Sequence, residues 1–190
     1  MKEMIDRIRA EGVVYAGNVL KVDSFLNHQI DPVLIEHIGD EIARLFAGDG
    51  VTKILTVEAS GIAIALAAAM KLSVPMVFAK KNQTSNLAAD VYSTPVESFT
   101  HNRTYRIVVA KQYLCPNDRV LLVDDFLAQG NALLGLARLV EMAGATVVGA
   151  GIAVEKGFQQ GGKLLRERGI RVESMAIVDS MDDTSLTFRE

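Results

Sequence analysis

The chain holds a single cysteine, Cys115, and no tryptophan. One thiol permits no intrachain disulfide and fits a reducing compartment. There are only four prolines and no tract rich in Pro, Gly or Ser, so no linker divides the 190 residues and one domain is predicted over 1–190. Blocks of like charge are missing too. The net charge is −3 without a basic run, which argues against a nucleic-acid footprint. The longest apolar stretch, 61–70, falls well short of the roughly 20 residues a membrane span needs. The opening Met1-Lys-Glu-Met-Ile-Asp-Arg mixes charge with apolar side chains and carries no signal-peptide core. A cytoplasmic protein with no membrane partner is expected. Neither a Walker phosphate loop nor the dinucleotide glycine fingerprint occurs. Composition is 49% hydrophobic and 23% charged, enough to build a core and to exclude disorder.

What is present centres on Arg119-Val-Leu-Leu-Val-Asp-Asp-Phe-Leu-Ala-Gln-Gly-Asn-Ala-Leu133. Residues 120–123 form an apolar run long enough for one buried strand. Asp124 and Asp125 place two carboxylates at its carboxyl end. The small-residue loop Ala128-Gln-Gly-Asn-Ala132 follows, then a helical pattern of Leu133, Leu136, Ala137 and Val140. Backbone N–H groups at a helix start attract phosphate, and carboxylates accept hydrogen bonds from sugar hydroxyls, so the stretch suits a phosphorylated ligand with free hydroxyls.

Around it, strands and helices alternate. Helices are predicted over 2–11, over 32–47 behind the Asp31-Pro32 start, over 62–71, after 132 and over 163–168. Strands are predicted over 53–57, 75–79, 120–123, 146–154 and 172–178; 13–21 could be extended, and 22–30 fits neither pattern. The fold class is therefore α/β, a parallel twisted sheet flanked by helices on both faces, with ligands at the carboxyl ends of the strands. Between 82 and 116 apolar runs shorten and Ser, Thr and Asn accumulate, with strand-like stretches at 91–99 and 105–109. That segment reads as a hairpin or flap, and a mobile lid that excludes water is expected within it.

Four polar segments follow predicted strands: Glu58-Ala-Ser-Gly61, Lys80-Lys81, 124–132 and Glu155-Lys156. In a parallel sheet they converge on one rim. An isolated Asp-Asp is more often a helix cap or a solvated pair. Here the buried run before it and the small loop behind it favour a site.

The segment Val-Asp-Asp-Phe-Leu-Ala-Gln-Gly resembles the phosphoribosyl-pyrophosphate (PRPP) signature of type I phosphoribosyltransferases. Leu20-Lys-Val-Asp-Ser-Phe-Leu-Asn-His-Gln-Ile-Asp-Pro32 and Val154-Glu-Lys-Gly-Phe-Gln159 resemble the xanthine-specific bacterial branch of that family. The resemblance implies a type I phosphoribosyltransferase fold with a small hood (1–30 and 150–190) and a flexible flap (82–116). It also implies transfer from PRPP to xanthine, Mg²⁺ carried by PRPP with no protein ligand set of its own, and a homodimer. Position by position, Ala128, Gln129, Gly130, Asn131 and Ala132 match the 5′-phosphate loop. Asp124 and Asp125 match the pair facing the ribose hydroxyls. Glu58, Ala59, Ser60 and Gly61 match the pyrophosphate loop, where some relatives hold a non-proline cis peptide. Lys80 and Lys81 either neutralise the same anion or form a solvated face. Leu20, Asn27 and Lys156 match xanthine-contacting positions. Asn27 offers both donor and acceptor for a 2-oxo group, and Lys156 donates to a ring carbonyl. Phe158 either stacks on the base or belongs to the core, Phe25 is equally open, and His28 and Cys115 read as structural or solvent-facing. One position departs from the pattern: hypoxanthine-guanine relatives carry an Asp where this chain has Ala128, so the group handling the base proton is unassigned. A PRPP-sensing purine repressor is the rival from another class; its winged-helix domain finds no room in the roughly 30 residues before the first sheet helix.

Overall fold

The alternation of helical and strand periodicity produces, in chain order, α1 (Lys2–Glu11), β1 (Val13–Tyr15), β2 (Val19–Lys21), a π-helical turn (Asp23–Asn27) and α2 (Pro32–Phe46). Next come β3 (Lys53–Val57), α3 (Ile62–Leu72), β4 (Met76–Lys81), β5 (Val91–Ser98) and β6 (Arg103–Ala110). The chain closes with β7 (Arg119–Leu127), α4 (Asn131–Met142), β8 (Thr146–Lys156), α5 (Gly161–Glu167), β9 (Val172–Met181) and β10 (Leu186–Phe188). The structure, a computed structural model, describes residues 1–81, 90–98 and 103–189.

Helix α2 shows how local sequence sets an element. Asp31 is extended and its side chain accepts from the N–H groups of Val33 and Leu34 at 3.0 and 3.2 Å, while Pro32 takes the first helical position. Leu34, Ile38, Ile42 and Phe46 then recur on one face and are all buried. Each such side chain stabilises the fold by about 1.5–3 kcal/mol relative to exposure.

Eight strands form one sheet in the order β10-β9-β8-β7-β3-β4-β6-β5. From β9 through β4 neighbours run parallel; β10, β6 and β5 are antiparallel additions at the edges. Ile54, Leu121, Val123 and Val154 face a core shared with α1, α2 and α3, and Leu55, Val57, Val120, Leu122 and Ile152 face one shared with α4 and Leu165 of α5. From β3 the chain winds one way to β4, and from β7 the other way to β8 and β9. The boundary between β3 and β7 is thus the switch point, where open α/β sheets bind ligands. The ladder between these strands covers only Lys53–Val120, Ile54–Leu121 and Leu55–Leu122, so they part just before Glu58 and Asp124.

Two expectations are redrawn. The segment 150–190, expected as hood, supplies sheet strands β8, β9 and β10. What remains over the site is the N-terminal part, where β1 and β2 form a hairpin and 22–30, irregular in pattern, holds the π turn. Within the expected hairpin or flap, β5 and β6 do pair antiparallel as hairpin arms, but they also join the sheet through β4, with Val96, Ile107 and Val109 in the α4-side core. Their apolar residues are spaced for a sheet edge whose partner lies far away in sequence. Residues 82–89 and 99–102 of that segment, on which the lid expectation also falls, lie outside the described residues.

Candidate active site

The carboxyl ends of β3, β4, β7 and β8 bring the expected groups to one rim. At the end of β7, Asp124 and Asp125 are 5% and 8% exposed, and Asp124 Oδ1 accepts from the backbone N–H of Asp125 at 3.0 Å. Asp124 lines a cavity of about 180 Å³ together with Tyr105, Phe126 and the loop 128–132, and Asp125 Oδ2 accepts from Asn27 Nδ2 at 3.0 Å, while the two carboxyl groups stay within hydrogen-bond reach of each other. Burial pushes the Asp124 carboxyl well above the usual range, and the Asp125 charge adds to it; the Lys81 ammonium offsets part of this.

Gly130 sits at φ 84°, the left-handed region that favours glycine, and starts α4 with no side chain capping the helix. The first N–H groups of a helix lack intrahelical partners, so an uncapped start at a cavity is suited to an anion. The loop is braced from behind. Gly161 N–H donates to Ala128 O at 2.9 Å, and a Cβ on Gly161 would lie 2.4 Å from that oxygen and 2.6 Å from Gly130 N. Gly162 is as tightly placed, 2.0 Å from Glu155 Oε1 by the same construction. Glu155, 2% exposed, receives both arms of Arg166 at 2.7 and 2.9 Å and the Ser174 hydroxyl at 2.6 Å. Burial alone would raise its carboxyl, but the bonds from Arg166 and Ser174 outweigh this and hold it below the ordinary range. Glu155 is therefore a structural node next to a site residue. The Gly161-Gly162 brace is absent from the sequence-based expectations, because a Gly-Gly after a strand reads as an ordinary turn.

The loop 58–61 closes the other side of the crevice. The Glu58–Ala59 peptide is cis. Glu58 N–H donates to Ala79 O at 3.0 Å and its Oε1 accepts from Lys81 N–H at 2.6 Å, tying the loop to the end of β4. Gly61 is pressed between strands: a Cβ there would lie 2.2 Å from Thr56 Oγ1 and 3.0 Å from Asp124 Oδ1. Lys81 Nζ lies 5.6 Å from the Tyr105 ring centroid, on the Asp124 side. Lys80 precedes it by one residue in β4 and so points to the other face of the sheet. The structure does not bring the two lysines together. Ser60, half-buried, lies in the same loop.

Lys156, at the end of β8, donates to Asn18 O of the β1–β2 turn at 2.7 Å, and its Nζ lies 5.8 Å from the Phe126 ring centroid. Burial lowers its ammonium pKa. Leu20 is buried on the inner face of the hairpin, and Asn27 ends the π turn with its side chain exposed. Phe158 is partly buried against the core that contains Leu20, and Phe25 is fully buried there under the Arg7 guanidinium. The aromatic rings at the cavity are Phe126 and Tyr105. Sequence reasoning gave Phe126 no role of its own inside the signature, and Tyr105 was hidden because its strand had no identified partner. His28 and Cys115 are exposed.

An uncapped helix start, a small loop and two carboxylates at the switch point of a parallel sheet define a protein that holds a phosphorylated sugar. Residues 21–168 match the phosphoribosyl transferase domain, and the chain belongs to that family. It is 56% identical to a xanthine phosphoribosyltransferase of Lachnoclostridium phytofermentans over 100% of this chain and 98% of that one. A protein of the same name from Bifidobacterium longum is 57% identical over the whole of both. Among solved structures, an adenine phosphoribosyltransferase from Thermoanaerobacter pseudethanolicus superposes with a TM-score of 0.68 at 26% identity, covering 77% of this chain and 81% of that one. The Giardia lamblia enzyme complexed with 9-deazaadenine gives 0.76 at 22% identity over 94% and 98%, a likeness of fold. No helix among the described residues is long and apolar enough to cross a membrane.

Proposed function

We propose that the protein transfers the 5-phosphoribosyl group of PRPP to xanthine, giving xanthosine 5′-monophosphate and pyrophosphate in purine salvage. The carrying observation is the cavity between Asp124 and the uncapped start of α4, with Lys156 near the Phe126 ring of its lining and Asn27 bonded to the neighbouring Asp125. The full-length relatives named as xanthine phosphoribosyltransferases support the choice of base. In this reading Ala128, Gln129, Gly130, Asn131 and Ala132 hold the 5′-phosphate on backbone N–H groups. Asp124 and Asp125 accept from the ribose hydroxyls, and their negative charge favours the positive character that develops at C1 as pyrophosphate leaves. Glu58, Ala59, Ser60 and Gly61 meet the pyrophosphate, with Lys81 as the cation on that side; Lys80 faces away and serves at most at longer range.

Xanthine lies over Phe126, between Leu20, Asn27 and Lys156. Phe158 takes the core role. The Lys156 ammonium donates to a ring carbonyl, which disfavours adenine, whose 6-amino group would face a donor. Ala128 leaves no side chain in the loop to carry the base proton.

Mg²⁺ belongs to this reading as a companion of PRPP. The residues fit it in a limited way: Asp124 and Asp125 are hard oxygen donors at the sugar site, and among the described residues no three His, Cys, Asp or Glu side chains cluster as a cage. When bound, the ion supplies charge neutralisation to the diphosphate. A cytoplasmic homodimer is the assembly we propose from the family likeness. The test is a steady-state comparison of xanthine, guanine, hypoxanthine and adenine with PRPP–Mg²⁺. Xanthine is expected to give the highest kcat/KM, and any other ranking would refute the assignment of the base.

A further inference from the structure

The strand that leads to the pyrophosphate loop buries one hydroxyl with nothing to bond. Thr56 of β3 is fully buried, and among the described residues its Oγ1 has no hydrogen-bond partner. Its strand neighbours Ile54, Leu55 and Val57 are apolar and buried. Valine has nearly the shape of threonine and suits a strand as well, so packing alone gives no reason for the hydroxyl. A buried polar atom without a partner costs stability and calls for an explanation.

Its place supplies one. The ladder between β3 and β7 ends at Leu55–Leu122, so Thr56 is the first residue of β3 in the crevice where the two strands part. Gly61 closes that crevice from the loop: a Cβ on it would stand 2.2 Å from Thr56 Oγ1 and 3.0 Å from Asp124 Oδ1. The two oxygens thus border one spot, which any other residue at 61 would fill. At that spot the hydroxyl is the donor and the carboxylate the acceptor. Asp124 Oδ1 accepts from Asp125 N–H at 3.0 Å, and a carboxylate has about four acceptor positions, so room remains for a further donor.

We infer that Thr56 is a positioning residue for Asp124, its hydroxyl a reserve donor that bonds the Asp124 carboxylate once the sugar occupies the site. The inference rests on the role given above to Asp124. When that side chain turns to accept from the ribose, rotation about its own bonds brings Oδ1 onto the Thr56 hydroxyl. A bond from a hydroxyl to a charged carboxylate is stronger than one between neutral groups. It fixes the carboxylate toward C1 and away from Asp125. The ribose hydroxyls are held before and during the reaction, the positive charge at C1 only during it, so the gain falls on kcat.

The experiment is a double-mutant cycle on Thr56→Val and Asp124→Asn, with Thr56→Ser as the rescue. It is read by kcat and KM with PRPP–Mg²⁺ and xanthine, and by melting of the ligand-free proteins. Thr56→Val is expected to lower kcat about tenfold while KM for PRPP moves less than about twofold. The same variant should melt about 2 °C or more above the parent, because it removes an unpaired buried hydroxyl. Thr56→Ser keeps the hydroxyl and gives up a methyl, so it should melt below the parent yet keep kcat within about threefold. Added to Asp124→Asn, Thr56→Val should cost less than about threefold more, since the hydroxyl acts through the carboxylate. An unchanged kcat in Thr56→Val, a loss carried by KM for PRPP, an equal loss in Thr56→Ser or losses that multiply in the double variant each overturn the inference. So does a Thr56→Val protein that melts below the parent, whose hydroxyl would then be paired already. A parent without activity on PRPP and xanthine overturns the functional reading itself, a separate and visible outcome.

Discussion

Asp124 pits stability against function at a single residue. Its carboxyl is buried at the cavity and pushed well above the ordinary range, first by burial and then by the charge on Asp125. A group whose folded pKa exceeds its unfolded value binds protons more tightly in the folded state. Stability is then greatest below the unfolded value of 3.8 and falls as pH rises through the folded pKa. Asp124→Asn removes this penalty. The variant is expected to melt above the parent near about pH 7.5, with the gap closing as pH falls toward about 4, where both side chains are neutral. Activity should move the other way, with kcat/KM down about 100-fold, the scale of losing one preorganised electrostatic contact to the transition state. Parallel melting curves and rate measurements across that pH range check both halves. A variant less stable than the parent at neutral pH would show that Asp124 is ionised and well paired in the free protein.

At the level of elements, the brace behind the phosphate loop is the part most open to test. The first residues of α5 press on Ala128 and Gly130, and Gly162 lies against Glu155, which Arg166 and Ser174 hold in place. Gly161→Ala would put a Cβ against backbone atoms of the loop, which have no side-chain freedom with which to yield. The expected result is a KM for PRPP raised about tenfold or more, with the ranking of bases unchanged and a stability cost of about 1–3 kcal/mol from overpacking. A normal KM for PRPP would separate α5 from phosphate binding. This element also marks a limit of legibility. Strands β3, β7 and β8 could be read from apolar runs, α2 from its Asp-Pro start, and the loop 128–132 from its place after a strand and two carboxylates, because those signals are local. The brace, the Asn27–Asp125 bond and the opposite facing of Lys80 and Lys81 depend on register and on residues about 30 to 100 positions apart, which no periodicity encodes. The edge role of β5 and β6 was hidden for the same reason.

For the whole molecule, the central strands carry both cores at once. Leu121 and Val123 of β7 face the α2–α3 side while Val120 and Leu122 face α4, and Ile54 and Leu55 of β3 divide in the same way. Losing either helical layer therefore exposes strands that the other layer needs. Among the described residues no segment has a core it does not share through the sheet, and one cooperative transition is expected on heating. The candidate site is built from the ends of four of these strands, so a ligand that fills it binds the folded state alone and should raise the melting temperature as a unit. At about 100 times its Kd, PRPP–Mg²⁺ would add about 2.7 kcal/mol, which for a chain of this size corresponds to a rise of about 5–10 °C. Calorimetry with and without the ligand checks this. A single peak displaced whole supports one unit with its site at the shared sheet. Two peaks, with only one displaced, would assign the site to a part that unfolds independently, and the ladder between β3 and β7 would then not carry the coupling argued here.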